Sequence, residues 1–125
     1  MDDAVAHKFF SDNSVQLHLF DAIKKYISSL GVVKIKVTKS QISFSNKRQF
    51  AWVWLPMPWD TGRPKNSIVL SFSLGERVMH PQIVEVVEPY PGRFMHHVIM
   101  EKEAELSGAV KKWLQTAFTF GEERN

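Results

Sequence analysis

Three aromatic residues at alternate positions are the strongest sign of binding chemistry in this sequence. Phe50, Trp52 and Trp54 fall in the segment 48–56, whose other residues are mostly apolar. Because alternate residues of an extended strand lie on one face, we predict that the three rings share a face and that the small and aliphatic residues between them form the other. An exposed aromatic face can stack nucleobases, with about 1–3 kcal/mol from each base, or form the centre of a protein contact.

Three interpretations of this aromatic strand stay open. The rings can be core residues, they can form a homodimer contact or a ligand surface, or they can bind single-stranded nucleic acid. The third interpretation needs cations for the phosphates, and four lie on or beside the same predicted sheet region: Lys34, Lys36, Lys47 and Arg48. A net charge of +3 supports it only weakly, because nucleic-acid binders are often more basic and concentrate that charge in a patch.

Two adjacent histidines form the second candidate group. His96 and His97 fall on a predicted strand, so they point to opposite faces and cannot chelate one metal ion. No ligand spacing typical of a metal site is present, and we predict neither a metal nor another cofactor. One alternative is hydrolase chemistry that uses His96 or His97 with Glu88, and it requires these groups to share a pocket.

Two arginines complete the candidate polar groups. Arg93 ends the predicted type II turn Tyr90-Pro91-Gly92-Arg93, in which the glycine supplies the positive φ. In that position it can clamp an anionic ligand, or it can pair with Glu88 and hold the hairpin in register, which is the interpretation we favour. Arg77 falls in a predicted loop.

Composition bounds the classes of protein to which the chain can belong. Its 125 residues are 44% hydrophobic, which suits one folded domain. No apolar run approaches the roughly 20 residues that span a bilayer, and the acidic N-terminus lacks a secretory signal, so we expect a cytoplasmic protein without membrane contact. The absence of cysteine excludes disulfides and thiolate chemistry. No phosphate-binding glycine loop, nucleophile elbow or His-Glu-x-x-His motif is present, so we predict no catalytic residues.

The elements that position these residues follow from hydrophobic periodicity. Apolar residues at three- and four-residue spacings predict a helix over 14–30, with Gly31 as its C-cap. A second such stripe over 106–117 predicts a C-terminal helix that ends near Phe118 and Phe120 and that Gly108 weakens by up to about 1 kcal/mol. Alternation of apolar and polar residues predicts strands between the helices, with a loop after the third of them at 56–66. The predicted strands are 33–37, 41–45, 50–55, 68–73, 83–88 and 94–100, with a short helix as the alternative for 83–88.

These elements predict an α+β fold. We expect a two-layer domain, with an antiparallel sheet of five to six strands and an N-terminal and a C-terminal helix packed on one face. The single domain covers residues 14–120, preceded by a lead-in at 1–13 and followed by a tail at 121–125. Phe9 and Phe10 are expected to pack the lead-in against the domain.

Three segments of the chain resemble a bacterial family of domains of unknown function. They are 37–44, 50–53 and 85–97, and the last contains the signature Glu-Pro-Tyr-Pro-Gly-Arg-x-x-His-His, which begins at Glu88. The resemblance covers residues 9–120, and some relatives carry the label "predicted transport protein". It implies an α+β domain and brings no activity, cofactor or catalytic residue.

The leading hypothesis is therefore a non-enzymatic binding or interaction module with an unknown small-molecule or protein ligand. We also expect a homodimer, because an uncovered apolar sheet face favours association with a partner. The aromatic strand would supply contact area and the other candidates polar selectivity. The predicted binding residues are Phe50, Trp52, Trp54, Arg77, Arg93, His96 and His97.

Overall fold

The structure is a computed structural model that describes residues 3–55 and 66–123. Within these ranges the helices are α1 (Asp3–Phe9), α2 (Ser14–Ser28) and α3 (Gly108–Glu122), with a short 3-10 helix at Glu103–Glu105. The strands are β1 (Lys34–Val37), β2 (Gln41–Ser45), β3 (Gln49–Trp54), β4 (Ile68–Leu74), β5 (Ile83–Tyr90) and β6 (Arg93–Met100). The loop predicted at 56–66 lies, except for its last residue, outside the described residues.

The six strands form one antiparallel sheet in the order β1-β2-β3-β4-β6-β5. β4 pairs with β6 rather than with β5, so β5 becomes an edge strand of the sheet. The β5–β6 hairpin turns at Gly92, whose φ of +77° confirms the predicted need for glycine in this turn. The predicted antiparallel α+β fold is confirmed, with six strands in the sheet.

The three described α-helices pack on one face of this sheet. α2 buries Leu19 and Ile23, and α3 buries Val110, all from apolar stripes with helical spacing. α1 joins the same core through Ala6 and Phe10. A helix of 7 residues is marginal in water by itself, so this packing stabilises α1 where local sequence gives no clear signal.

The ends of the two longer helices differ from the prediction. α2 continues only to Ser28, and its C-cap Ser29 has right-handed backbone angles, so Gly31 is not a left-handed C-cap. Gly108 is the first residue of α3 and directly follows the N-cap Ser107. A glycine at this position does not weaken the interior of the helix, contrary to our expectation.

A β-bulge overturns the prediction that Phe50 shares a face with the two tryptophans. The register between β2 and β3 shifts at Phe44 and Ser45, which leaves Phe50 as an extra residue in β3. An extra residue interrupts the alternation of side chains along a strand. Phe50 therefore lies on the helix side of the sheet, fully buried, with its ring centroid 5.5 Å from that of Phe118 in α3.

Candidate functional site

Six side chains lie in one line across the six described strands. Each residue pairs directly with the next, in the order Lys36, Ser43, Trp52, Ser71, His97 and Glu85. Residues directly opposite each other on adjacent strands point to the same face, with their Cβ atoms about 4.5–5.5 Å apart. We call these six residues the central row.

The central row lies on the face turned away from the helices, which we call the far face. Phe72 follows Ser71 on β4 and stacks on Trp113 of α3, with ring centroids 5.8 Å apart. Since neighbouring residues of a strand point to opposite faces, Ser71 points away from α3. Trp52 and Trp54 share the far face, as predicted, while the valine between them joins the helix-side core.

His97 is the polar centre of the row. Its Nδ1 lies 2.6 Å from Ser71 Oγ, within hydrogen-bond distance, and its Nε2 lies 4.0 Å from Oε1 of Glu85. Serine, histidine and glutamate are the residue types of a charge relay. However, Ser71 is 0% exposed, so its hydroxyl is not accessible to a substrate in this structure. The arrangement is therefore more typical of a fixed, hydrogen-bonded polar surface than of an activated nucleophile.

Two buried polar atoms of the far face have no hydrogen-bond partner among the described residues. They are Nε1 of Trp54 and Oγ of Ser73. By contrast, Nε1 of Trp52 donates to Oε1 of Gln49 at 3.0 Å. A buried polar group without a partner costs about 1–3 kcal/mol, so most such groups in folded proteins are paired. Trp54 and Ser73 lie on either side of the central row, two positions along β3 and β4 from Trp52 and Ser71.

His96 has a different environment on the helix side. Its Nε2 accepts a hydrogen bond from the Val78 N–H at 2.9 Å, so the ring proton is on Nδ1, which donates to the Phe94 carbonyl at 3.1 Å. The ring is fully buried and stacks on Phe72, with centroids 5.5 Å apart. Burial lowers the pKa of His96, and the nearby charge of Arg77 lowers it further. His96 is therefore a neutral residue that attaches the chain after β4 to the sheet.

The predicted arginines also lie away from the central row. The guanidinium carbon of Arg77 is 5.5 Å from the ring centroid of Phe94, and that of Arg93 is 5.6 Å from the ring centroid of Phe120 in α3. Glu88 accepts a hydrogen bond from the backbone N–H of the turn glycine at 2.9 Å. The carboxylate beside His97 is therefore that of Glu85. The structure does not bring Glu88 next to either histidine, so the predicted pairing of Glu88 with His96 or His97 is not observed.

The four cations proposed for nucleic-acid contacts are divided between two places. Lys34 and Lys36 are exposed on the edge strand β1 and point to the far face. Lys47 and Arg48 lie in the turn before β3, where the Arg48 guanidinium donates to the backbone carbonyl of Glu123 at the end of α3. Of the four, the two lysines of β1 lie on the same face as the tryptophans, but β2 separates them from Trp52.

Sequence reasoning missed the serines and the glutamate of this site. Ser43, Ser71 and Ser73 occupy alternate positions of otherwise apolar strands, and each is almost completely buried. In the sequence, these serines could have been recognised as small polar residues on the second face of a buried strand. Glu85 gave none, because its position beside His97 depends on β6 lying between β4 and β5.

Among residues 3–55 and 66–123 there is no group of three or more histidines, aspartates or glutamates that could hold a metal ion. In the same ranges no helix has both the length and the apolar character needed to cross a membrane.

Comparison with known proteins yields one match. No curated protein and no solved structure matches the chain significantly. A family model described as a domain of unknown function, DUF5655, matches residues 6–121. This range includes α2, all of α3 except its last residue, the whole sheet and every residue of the central row. The chain therefore belongs to the DUF5655 family.

Proposed function

We propose that the protein is a non-enzymatic binding module whose ligand contacts the far face of the sheet. The observation that carries this proposal is a pair of buried atoms, Trp54 Nε1 and Ser73 Oγ, that have no partner among the described residues and lie beside a row of polar side chains. Because both atoms are buried, a ligand that supplies the missing partners must first displace the side chains that cover them, whereas it can reach the partly exposed His97 and the exposed Glu85 directly. The hydroxyl can donate or accept, whereas the indole N–H can only donate.

The chemistry of the far face favours a small polar ligand with hydrogen-bond acceptors. The central row begins with the cation Lys36 and ends with the carboxylate of Glu85, so it offers opposite charges at its two ends. Trp52 is only 7% exposed and already has a partner for its indole nitrogen. An indole in this state has little ring surface for a nucleobase, which is why single-stranded nucleic acid is the weaker proposal.

Hydrolysis at Ser71 is also a weaker proposal than binding. The short contact with His97 places the serine hydroxyl well for proton transfer, but its complete burial keeps it from an incoming carbonyl group. A bound ligand would instead meet His97, whose side chain is 15% exposed, and Glu85, which is 55% exposed.

A fragment screen by NMR tests the proposal. With ¹⁵N-labelled protein, ligands of the far face should shift the indole N–H resonance of Trp54 and the amide resonances of the central row. Trp54→Phe keeps an aromatic ring and removes the donor, so affinity should fall by about two- to tenfold, the value of one hydrogen bond. Trp113→Phe is the matched control on α3 and should leave affinity unchanged.

The same screen can refute far-face binding. Ligands that act only on resonances remote from β3, β4 and β6 would contradict it, as would affinity that is insensitive to Trp54→Phe. Adding short single-stranded oligonucleotides at low salt tests the alternative, for which binding must weaken steeply as salt is added.

Self-association is a second part of the proposal. β5 is an edge strand, and it carries exposed apolar side chains at Val84 and Tyr90. Light scattering should give the mass of a dimer for the wild-type chain and of a monomer for Tyr90→Ser. Val32→Ser removes a similarly exposed apolar group outside β5 and should leave the dimer intact. A wild-type monomer would end this part of the proposal.

A further inference from the structure

A groove lies on the helix side of the molecule, between α3 and the segment that follows β4. Its volume is about 670 Å³, within the range of about 300–1,000 Å³ typical of small-molecule sites. We call it the α3 groove. It is lined by Leu74, Gly75, Glu76, Val78, Trp113, Gln115, Thr116, Thr119, Phe120 and Glu123. None of these residues belongs to the central row.

The charged groups that line the groove are both acidic. Glu76 is on the loop wall and Glu123 is at the end of α3, and both are exposed. The lining contains no lysine, arginine or histidine, although two guanidinium groups border it, that of Arg48 at the Glu123 carbonyl and that of Arg93 over Phe120. This imbalance favours a positively charged occupant in a protein whose net charge is +3.

The hydroxyl groups of the groove are available mainly as acceptors. Oγ1 of Thr116 donates its proton to the Lys112 carbonyl at 3.0 Å, and Oγ1 of Thr119 donates to the Gln115 carbonyl at 3.2 Å. A hydroxyl that has donated its one proton keeps lone pairs for an incoming donor. Together with the two carboxylates, the walls therefore call for a ligand that carries N–H donors.

The aromatic rings of the groove suit the same kind of ligand. Trp113 and Phe120 line the groove, and ring faces attract cations within about 6 Å of their centroids. Phe120 already has one such cation, because the guanidinium carbon of Arg93 lies 5.6 Å from its centroid. Arg93 does not line the groove, but its guanidinium borders it and would compete with a bound cation for the ring of Phe120.

We propose that the α3 groove is a second binding site and that it takes a small organic amine in its protonated form, with an apolar body. The ammonium group would lie between the carboxylates of Glu76 and Glu123, and its three N–H donors would be shared by these two groups and the hydroxyl of Thr119. The apolar body would pack on Trp113 and Phe120. This site is independent of the far face and does not rest on the function proposed for it.

NMR titration with three probes of one shape tests the site. The probes are 2-phenylethylamine, 2-phenylethanol and 3-phenylpropionate, which carry a positive charge, no charge and a negative charge. The amine should give saturable shifts at Gly75, Thr116 and Thr119, and the other two probes should not. Equal binding of the alcohol, or the absence of saturable shifts with the amine, overturns the proposal.

Variants that each remove one carboxylate charge test whether the amine binds in the α3 groove. Glu76→Gln and Glu123→Gln should each weaken amine binding by up to about fivefold, the effect of one partly exposed charge pair. Glu122→Gln is the matched control, because this exposed glutamate precedes Glu123 on α3 and does not line the groove. Weakening by the control equal to that by Glu123→Gln would contradict a defined site.

The variant Arg93→Gln distinguishes a cationic ligand of the groove from an anionic one. If the groove takes a cation, removing the competitor for Phe120 should strengthen amine binding or leave it unchanged. If Arg93 instead clamps an anion, 3-phenylpropionate should bind to the wild-type chain and lose its affinity in Arg93→Gln. That second result overturns the amine site and leaves the proposal for the far face untouched.

Discussion

The two neighbouring histidines of β6 lie on opposite faces of the sheet, and the two faces provide different environments. On the helix side, His96 uses both ring nitrogens in hydrogen bonds and stacks on Phe72. On the far face, His97 contacts a serine and lies near an exposed glutamate, while Trp54 and Ser73 each have a buried atom without a partner in the part of the chain that the structure describes. Satisfied hydrogen bonds, rather than aromatic content, distinguish the two sides.

This contrast between the two faces has a thermodynamic interpretation. The helix side is an apolar core whose polar insertions are paired, which is the arrangement that stability favours. The far face keeps unpaired polar atoms at a cost in stability, and such a cost is common at sites where a ligand completes the pairing.

The largest expected effect is on the helix side. Phe72→Ala removes a fully buried ring that stacks on both His96 and Trp113, so it should lower the free energy of unfolding by about 3–5 kcal/mol. Urea denaturation followed by circular dichroism measures this. A loss below about 1 kcal/mol would contradict the assignment of the main core to this face.

The second prediction compares the histidines directly. His96→Ala should lower the free energy of unfolding by about 2–3 kcal/mol, because it opens a cavity and leaves the partly buried N–H of Val78 without an acceptor. His97→Ala should cost less, about 1–2 kcal/mol, because it leaves the Ser71 hydroxyl without its His97 partner but vacates a partly exposed position that water can reach. Equal losses in the two variants would remove the distinction between the faces.

The third prediction concerns pH. The pKa of His96 in the folded state is lower than its ordinary value of 6.5, mainly through burial. As pH falls below 6.5, the unfolded chain binds a proton at this histidine while the folded chain does not. The free energy of unfolding therefore falls, by up to about 1.4 kcal/mol for each pH unit, until pH reaches the folded pKa.

One variant checks the origin of this pH dependence. His96→Gln should reduce the slope of stability against pH below 6.5. Denaturant midpoints collected over this range provide the slopes. An unchanged slope in His96→Gln would show that other groups, such as carboxylates, cause the acid destabilisation.

The fold was predictable largely because its signals are local. Alternating apolar residues indicated the strands, helical stripes indicated α2 and α3, and the Pro-Gly pair indicated the turn at Gly92. The direction of Phe50 was not predictable, because the bulge depends on how β2 and β3 pair. α1 was also missed, since a helix this short is stabilised by the packing of Ala6 and Phe10 rather than by its own sequence.

The candidate site was less predictable than the fold. Trp52, Trp54 and His97 were identified by residue type, but the serines and Glu85 meet them only through the strand order. The sequence does not determine that order, because β6 could have paired with β5 alone. Arg93 lies on the same strand as His97, but its guanidinium reaches the ring of Phe120 in α3 instead of the central row.

The smallest effect gives the sharpest comparison, because it uses two buried serines of the same strand. Ser71→Ala removes the partner of His97 and should cost about 1 kcal/mol. Ser73→Ala removes a hydroxyl that has no partner and should leave stability unchanged or raise it by up to about 1 kcal/mol. Thermal and urea unfolding of both variants provide the difference. If Ser73→Ala is destabilised as much as Ser71→Ala, its hydroxyl is paired in solution, and the argument for a ligand at the far face loses its main support.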